Sequence, residues 1–313
     1  MINILKKLKS IGVLSINNRN ANFILKYNPR KYYPLVDNKK ISKQLALKVG
    51  IAVPELYGVI EVQGQRKNLK HILDQHNDFV IKPAQGSGGD GIIVIDRKSK
   101  DKYYQVSGEL MSYDEIDYHV SKIISGMYSL GGLPDEVLIE YRVKFDPIFD
   151  SISYRGIPDI RIITLFGVPV MSMARLPTRM SGGKANLHQG AIGVGIDIAK
   201  GVTQFAVLNN EIISEHPDTG NEVTGISIPN WETILTIASK CYDLTLLGYQ
   251  GVDIVLDKDK GPMILELNAR PGLNIQIANQ LGLLPRLKQV ENDYKNLKSC
   301  EERVNYTLSR WKN

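Results

Sequence analysis

Apolar and polar residues follow one another in a pattern that predicts a mixture of strands and helices. Runs rich in β-branched residues, bounded by glycine, proline or charged clusters, predict strands over 79–81, 92–95, 137–141, 159–166, 168–174 and 251–257, and from Pro262 onward. Helical spacing and capping residues predict helices over 37–49, from Ser112 to Gly131–Gly132, and over 231–247 behind Asn230. The fold class that follows is α/β (α+β).

The same pattern divides the chain into five predicted segments. Residues 1–36 are basic and aromatic and are expected to form an arm with little helix of its own. The remaining segments are a helical subdomain over 37–78, a small lobe over 79–140, a large lobe over 141–285 and an amphipathic helix over 286–313. We find no internal repeat.

Two apolar runs, 251–257 and 262–268, are separated by four polar or glycine residues, which predicts a β-hairpin. If the turn centres on the middle two of those four, Asp253 lies opposite Glu266, and Asn268 shares the face of Glu266. Like charges that face each other across strands are unfavourable, so a cation is expected between them. Oxygen ligands of this kind suit Mg²⁺. A solvated strand face with incidental acids remains the alternative.

Gly86, Gly88 and Gly91 have the spacing G-x-G-x-x-G within residues 79–96. A Rossmann fingerprint runs from strand into helix, whereas here β-rich residues lie on both sides. The glycines therefore predict the tip of a flap whose backbone N–H groups can approach phosphate oxygens. Lys82 precedes the glycines, and the kinase triplets and the P-loop motif are absent from the sequence. A mobile hairpin turn without a ligand is the alternative.

Composition is that of a globular enzyme. The 313 residues are 43% hydrophobic and 23% charged, and the two cysteines, Cys241 and Cys300, are too far apart to suggest a metal site. The formal charge of +6 is not gathered into a run interleaved with aromatics, so nucleic acid is not an expected partner. We expect a cytoplasmic protein without a transmembrane segment. A weak contact of the N-terminus with an anionic membrane surface and a homo-oligomer both stay open.

Several ordered motifs together resemble the ATP-grasp superfamily, and in particular the RimK-related α-L-glutamate ligase-like proteins. They are D-I-R at 159–161, N-L-H-Q-G at 186–190, G-V-D-I at 251–254 and E-L-N-A-R-P-G at 266–272, within a likeness that runs from about Asp37 to Leu284. The resemblance implies a nucleotide held between two α+β lobes. RimK-type ligases have a sizeable domain before the first lysine that contacts phosphate, so this chain is expected to have a shortened N-terminal region.

The resemblance also implies roles for individual residues. Lys39, with Lys40 as a close rival, and Lys82 match the lysines that contact phosphates. The family's flap over the phosphates corresponds to Gly86, Ser87, Gly88, Gly89 and Gly91. The hinge whose backbone contacts adenine corresponds to Glu140 and Tyr141. The family's Mg²⁺ ligands correspond to Asp253, Glu266 and Asn268. The site could hold two ions, and Mn²⁺ could replace Mg²⁺. The γ-phosphate and acyl-phosphate contacts match Arg161, Arg175, Lys184 and Asn186.

The function that the resemblance implies is ATP- and Mg²⁺-dependent ligation of a carboxylate to an amine through an acyl phosphate. The substrates would be small molecules or peptides, for example glutamate added to an amine or peptide acceptor. Two alternatives remain: a kinase or phosphotransferase that releases its phosphorylated product, and a non-catalytic ATP-binding partner in a larger assembly. The intact acidic set at Asp253 and Glu266 argues against the second alternative, because a scaffold has no need of it.

Overall fold

The computed structural model describes residues 2–86, 88–100 and 102–312, with side chains from Lys6 onward except that of Leu130. The chain forms two compact units. The smaller unit comprises residues 38–40 and 53–144, and the larger unit comprises residues 1–37, 41–52 and 145–313. No helix of the described chain is long and apolar enough to cross a membrane.

The strands, in chain order, are β1 Leu56–Ile60, β2 Phe79–Pro83, β3 Ile93–Ser99, β4 Lys102–Gln105, β5 Leu110–Ser112, β6 Val137–Glu140, β7 Asp159–Leu165, β8 Val168–Leu176, β9 Ile192–Asp197, β10 Val202–Leu208, β11 Glu211–Ile213, β12 Tyr249–Asp257 and β13 Gly261–Asn268.

The α-helices are α1 Ile2–Ser10, α2 Ile16–Arg19, α3 Leu25–Tyr27, α4 Pro34–Asp37, α5 Lys39–Lys48, α6 Leu69–Asp74, α7 Tyr113–Ile124, α8 Trp231–Thr245, α9 Ile275–Ala278, α10 Leu284–Asp293 and α11 Cys300–Arg310. A π-helical turn, Asn20–Ile24, joins α2 to α3. Short 3₁₀ turns lie at Arg30–Tyr32, Gln63–Asn68, Leu130–Gly132, Pro147–Ile152, Leu187–Gln189 and Tyr294–Asn296.

The smaller unit is an antiparallel sheet in the order β1-β6-β2-β3-β4-β5, covered by α6 and α7. Its core is apolar and includes Phe79, Ile81, Ile95, Ile116 and Val120, all fully buried. The predicted pairing of the strands around the glycines is confirmed, because β2 and β3 are antiparallel neighbours.

Helix α7 begins as the sequence predicts and ends earlier. The Ser112 side chain accepts from the Glu115 N–H, and the Glu115 carboxylate accepts from the Ser112 N–H, so the capping box is complete. The expected end at Gly131–Gly132 is wrong, because the helix stops at Ile124 and Gly126 takes a left-handed conformation (φ 86°).

The larger unit is an antiparallel sheet in the order β11-β10-β9-β8-β7-β12-β13. Helix α8 packs against its central strands, and α11 packs against α8 and β8. The turn between β7 and β8 contains Gly167 at φ 77°, where an added Cβ would lie 2.9 Å from the Ser239 carbonyl oxygen. Asn230 precedes α8 as predicted, but it has a left-handed conformation and its side chain makes no capping bond.

The expectation that residues 1–36 have little helix is wrong. Most of this segment is helical, and it packs on the larger unit through contacts far apart in sequence. Phe23 lies against Tyr249 with ring centroids 6.0 Å apart, and the Asn28 side chain bonds the Tyr249 backbone in both directions, at 2.6 and 2.9 Å. Buried Arg19 donates to the Pro271 carbonyl oxygen at 2.7 Å.

The single helix expected over 286–313 is also wrong, because the segment forms α10 and α11 with a break between them. Ser299 starts α11 with a second capping box, closed by Glu302, which favours a new helix over continuation of the old one. Both helices pack on the larger unit, through Leu287 and Val290 in α10 and through Val304 and Thr307 in α11.

The predicted pairing of Asp253 with Glu266 is confirmed, although the turn differs from the one assumed. The residue pairs nearest the turn, from Asp257 with Gly261 to Ile254 with Ile264, place the centre of the hairpin on Asp259 alone. An irregularity between Asp253 and Ile254 then adds one residue on β13 and brings Glu266 opposite Asp253.

Candidate functional site

A network of charged side chains crosses neighbouring strands of the larger sheet. Arg161 on β7 donates from Nε and Nη2 to the two carboxylate oxygens of Asp253 on β12, at 2.7 and 2.5 Å. Arg175 on β8 makes the same two-pronged contact with Asp159, at 2.6 and 2.5 Å, and its Nη2 also lies 2.8 Å from Asp253. Two arginines and two aspartates are thus joined by bidentate, charge-assisted hydrogen bonds.

Strand register explains why these four residues meet. Arg161 and Asp253 are direct cross-strand partners, and so are Asp159 and Arg175. Opposite charges that face each other across strands stabilise the pairing. Both aspartates are almost fully buried, and buried carboxylates require such partners.

The two aspartates have different acidities. Burial by itself would raise the pKa of Asp253, but the charges and hydrogen bonds of Arg161 and Arg175 outweigh it and lower that pKa to about 2. Burial raises the pKa of Asp159 to about 6, against the lowering effect of Arg175. Asp253 therefore keeps its negative charge throughout the physiological pH range.

Glu266 and Asn268 lie on β13, the last strand at that edge of the sheet, and both are partly exposed. Asn268 Nδ2 donates to Asp253 Oδ2 at 3.2 Å. That oxygen also accepts from Arg161 and Arg175, whereas Oδ1 accepts from Arg161 Nε, which leaves Oδ1 with capacity for a further partner. Within the described residues, no group of three or more His, Cys, Asp or Glu side chains forms a metal site, and this set combines two acids with an amide.

Lys184 and Asn186 lie on the loop between β8 and β9 rather than on the strands of the network. The Asn186 side chain accepts from the His188 N–H at 3.0 Å and so caps the 3₁₀ turn Leu187–Gln189. The loop is closed by Thr178, whose hydroxyl donates to the Gly190 carbonyl oxygen at 2.7 Å. Asn186 thus has a role in loop structure, and Lys184 is exposed.

In the smaller unit, Lys82 is buried beside Glu140. Its Nζ lies 2.5 Å from Glu140 Oε1, and both side chains are nearly inaccessible. The two residues lie on adjacent strands, with Lys82 opposite Leu138 and Val80 opposite Glu140. Lys82 therefore has a structural partner in addition to any ligand.

Lys39 and Lys40 have different surroundings. Lys39 Nζ donates to the Gly86 carbonyl oxygen at 2.6 Å, at the start of the glycine segment. Lys40 Nζ instead lies 2.6 Å from a Glu61 oxygen and 2.9 Å from a Glu136 oxygen. Hydrogen bonds to Glu61 and Glu136 raise the pKa of Lys40. Of the two rivals, Lys39 is the one beside the flap.

The glycines form a turn between β2 and β3. Gly88, Gly89 and Gly91 have φ values of 68°, 81° and 75°, a region that residues with a side chain rarely adopt. Ser87, also assigned to the flap by the sequence, lies outside the described residues.

Both ends of this turn are attached to α7 or to the segment that follows it. Gly86 forms an antiparallel bridge with Ser129. At the other end the Gly91 carbonyl oxygen lies 2.9 Å from His119 Nε2, and an added Cβ at Gly91 would lie 2.6 Å from the Tyr128 ring. The backbone can approach these neighbours because no side chain intervenes.

The backbone at Glu140 is flanked on both sides by strands, with Leu56 of β1 and Val80 of β2 as its partners. The Tyr141 N–H donates to the Glu55 carbonyl oxygen at 2.8 Å. The backbone of Glu140 and the Tyr141 N–H are thus engaged within the smaller unit.

Two residues to which the sequence assigns no role of their own support these sites. Asp159 holds Arg175 across the β7–β8 hairpin. The hairpin turns at Phe166 and Gly167, and an irregularity between Ile163 and Thr164 sets the register that pairs the two residues. Buried Asp135 accepts from the Gln85 N–H, at 3.0 Å for the nearer oxygen, and so fixes the start of the flap. No local pattern indicates that contact, because the two residues are 50 positions apart.

The chain has an ATP-grasp fold with two antiparallel sheets. One sheet carries the glycine flap and the buried Lys82, and the other carries Asp253 and Glu266 on its last two strands, here called the acidic edge. The chain belongs to the sugar-transfer associated ATP-grasp family, whose sequence profile matches residues 18–292. Among curated proteins none matches the sequence.

The fold is similar to that of several solved ATP-grasp enzymes. The ligase PsnB, complexed with a phosphomimetic variant of its minimal precursor, Mg and ADP, has 13% identity and a TM-score of 0.47, over 90% of this chain and 62% of that chain. D-cycloserine synthetase DcsG has 14% identity and a TM-score of 0.47, over 87% and 74%.

D-alanine–D-alanine ligase from Bacillus anthracis, complexed with ATP, has 16% identity and a TM-score of 0.42, over 90% and 67%. The present chain thus spans less than two thirds of the PsnB chain.

Proposed function

We propose that this chain is an ATP- and Mg²⁺-dependent ligase that joins a carboxylate to an amine through an acyl phosphate. The observation that carries the proposal is the charged network on the larger sheet, where Asp253, opposite Glu266, is held by Arg161 and Arg175. Oxygen ligands for a cation and guanidinium groups for phosphoryl oxygens then lie on adjacent strands.

The residues present fit a hard divalent cation. Asp253 Oδ1, the Glu266 carboxylate and the Asn268 side-chain oxygen would hold Mg²⁺, with Mn²⁺ as a substitute and a second ion as a variant. When bound, the ion neutralises charge on the triphosphate. The arginines hold Asp253 ionised and in place.

The smaller unit would supply the remaining nucleotide contacts. Lys39 and Lys82 would contact phosphates, the backbone from Gly86 to Gly91 would cover them, and the hinge around Glu140 would contact adenine.

The proposed chemistry needs no covalent enzyme intermediate. An oxygen of the substrate carboxylate attacks the γ-phosphorus of ATP, and ADP leaves. The amine then attacks the acyl carbon, phosphate leaves, and the amine gives up a proton. Arg161, Arg175 and Lys184 would stabilise the charge that develops on phosphoryl oxygens, and Asn186 would hold the loop that carries Lys184.

The likeness to RimK-related proteins favours an amino acid such as glutamate as one substrate, and small molecules or peptides as the other. The family description, sugar-transfer associated, adds amino sugars to the acceptors worth testing. The two free cysteines agree with a reducing cytoplasm.

The test is ADP release measured over a library of carboxylates and amines, followed by trapping with hydroxylamine. A ligase releases ADP and yields a hydroxamate of the active carboxylate even without the amine. A phosphorylated alcohol or amine with no hydroxamate would instead identify a phosphotransferase. ATP binding without ADP release across the library would favour a non-catalytic partner.

A further inference from the structure

The net charge of the chain is concentrated at one end. Seven of its 39 basic residues and none of its 33 acidic residues lie within the first 36 positions. The rest of the chain carries 32 basic and 33 acidic residues and is therefore nearly neutral. The net positive charge of the chain therefore lies in residues 1–36.

Part of this segment is helix α1, whose C-terminal end is exposed. Every residue from Lys6 to Ile11, at the end of α1, is exposed. Leu8 and Ile11, three positions apart on one side, are 40% and 49% exposed. A nine-residue helix is marginal in water without a surface to pack on.

The helix is nevertheless fixed to the larger unit just behind its end. The Leu284 N–H donates to the Gly12 carbonyl oxygen at 3.0 Å, and an added Cβ at Gly12 would lie 2.4 Å from Pro285. Leu281, 41% exposed, immediately precedes Gly282, which touches the Ile11 backbone. Exposed apolar side chains are therefore grouped beside the lysines.

We propose that Lys6, Lys7, Leu8, Lys9 and Ile11, the N-terminal surface, bind an anionic lipid membrane. Lysines attract the negative surface potential of a bilayer, and apolar side chains at helical spacing can enter its interfacial layer. The lysines would stay at the level of the headgroups. A purely polyanionic partner such as nucleic acid leaves the exposed Leu8 and Ile11 without a role.

The experiment is co-sedimentation of the full chain with phosphatidylcholine vesicles that contain or lack phosphatidylglycerol. The chain is expected to bind the anionic vesicles, to bind the neutral ones far more weakly, and to dissociate as salt rises. Duplex DNA and heparin are measured in parallel as polyanions without an apolar phase.

Two variants test the two halves of the N-terminal surface. The triple variant Lys6→Gln, Lys7→Gln, Lys9→Gln is expected to lower partitioning by roughly 100-fold, since each lysine near an anionic surface contributes about 1 kcal/mol. The double variant Leu8→Ser, Ile11→Ser keeps the charge and is expected to lower partitioning by about tenfold or more.

The matched control is Lys48→Gln, Lys67→Gln, Lys295→Gln, which makes the same charge change at exposed positions elsewhere. It is expected to bind vesicles within about threefold of the parent chain, since these charges lie outside the N-terminal surface. Three results would overturn the proposal: no binding to anionic vesicles, an equal loss in the control, or binding to DNA and vesicles alike that is indifferent to the Leu8 and Ile11 changes.

Discussion

At the residue scale, the functional groups of the larger sheet depend on each other. Asp253 is both the proposed metal ligand and the acceptor of two arginines, and Asp159 fixes the second arginine. Removing one partner of a buried, bidentate pair leaves the other uncompensated. Glu266 makes a cleaner test of metal binding, because it is only partly buried.

Glu266→Gln is expected to keep the fold and to lose Mg²⁺-dependent ADP release by roughly 100-fold or more, because the amide contributes no charge to the cation. Glu211→Gln is the control, since Glu211 is an exposed glutamate on β11 at the opposite edge of the same sheet. Near-normal turnover in Glu266→Gln would remove this residue from the metal site.

The two adjacent lysines give a second residue-scale prediction. Lys39→Ala is expected to weaken binding of a non-hydrolysable ATP analogue by about tenfold or more, as loss of a charge-assisted hydrogen bond does. Lys40→Ala is expected to change it by less than about threefold, since Lys40 is bound to Glu61 and Glu136. Titration calorimetry measures both affinities, and the reverse order would exchange the assignments.

The sequence alone predicts part of this residue-scale picture. The assumed turn pairs Asp253 with Glu266, and that pairing holds only because an extra residue on β13 compensates for a turn one residue shorter than assumed. Without the extra residue, Asp253 would face Leu265. The contact of Asp135 with the flap is not predictable in this way, because it joins loops rather than paired strands.

At the element scale, local signals predict where strands and helices begin better than where they end. The Ser112 capping box places the start of α7, while its end depends on how residues 125–135 pack on the flap. Residues 286–313 keep the apolar spacing of a helix across the break between α10 and α11. That spacing predicts one helix although a second capping box begins at Ser299. The spacing of apolar residues shows which side of a helix is buried, but it does not show where one helix ends and another begins in a new direction.

Lys82 on β2 has a buried, charged partner on β6, Glu140, and so contributes to the structure as well as to the proposed phosphate contact. Lys82→Ala is expected to destabilise the protein by about 3 kcal/mol, because it removes the partner of buried Glu140. The double variant Lys82→Met, Glu140→Gln is expected to recover most of that loss in denaturant unfolding and still bind nucleotide weakly. Recovery of full nucleotide affinity in the double variant would mean that Lys82 serves structure alone.

At the scale of the whole molecule, the chain builds two units from interleaved segments. Helix α5 begins in the smaller unit and continues in the larger one, and the N-terminal helices join residues more than 200 positions away. Hydrophobic patterning is a local property, so it indicates that Phe23 and Tyr249 are buried without indicating that they meet. The N-terminal helices thus pack as part of the larger unit.

In the proposed function, binding of the nucleotide by the flap, residues 86–91, depends on the cation that Asp253 and Glu266 would hold. Amide hydrogen exchange over Gly88–Gly91 tests it most directly, because these residues lie in a turn outside both flanking strands. Gln85 is a poorer reporter, since its N–H already donates to Asp135.

We expect exchange at Gly88–Gly91 to slow when the ATP analogue and Mg²⁺ are added together, and to slow much less with the analogue alone. Without the metal, Asp253 and Glu266 repel the triphosphate that the glycine backbone would bind. In Glu266→Gln the effect of Mg²⁺ is expected to be largely lost. Equal protection with and without Mg²⁺ would contradict the account, because binding of the nucleotide by the flap would then not depend on the cation.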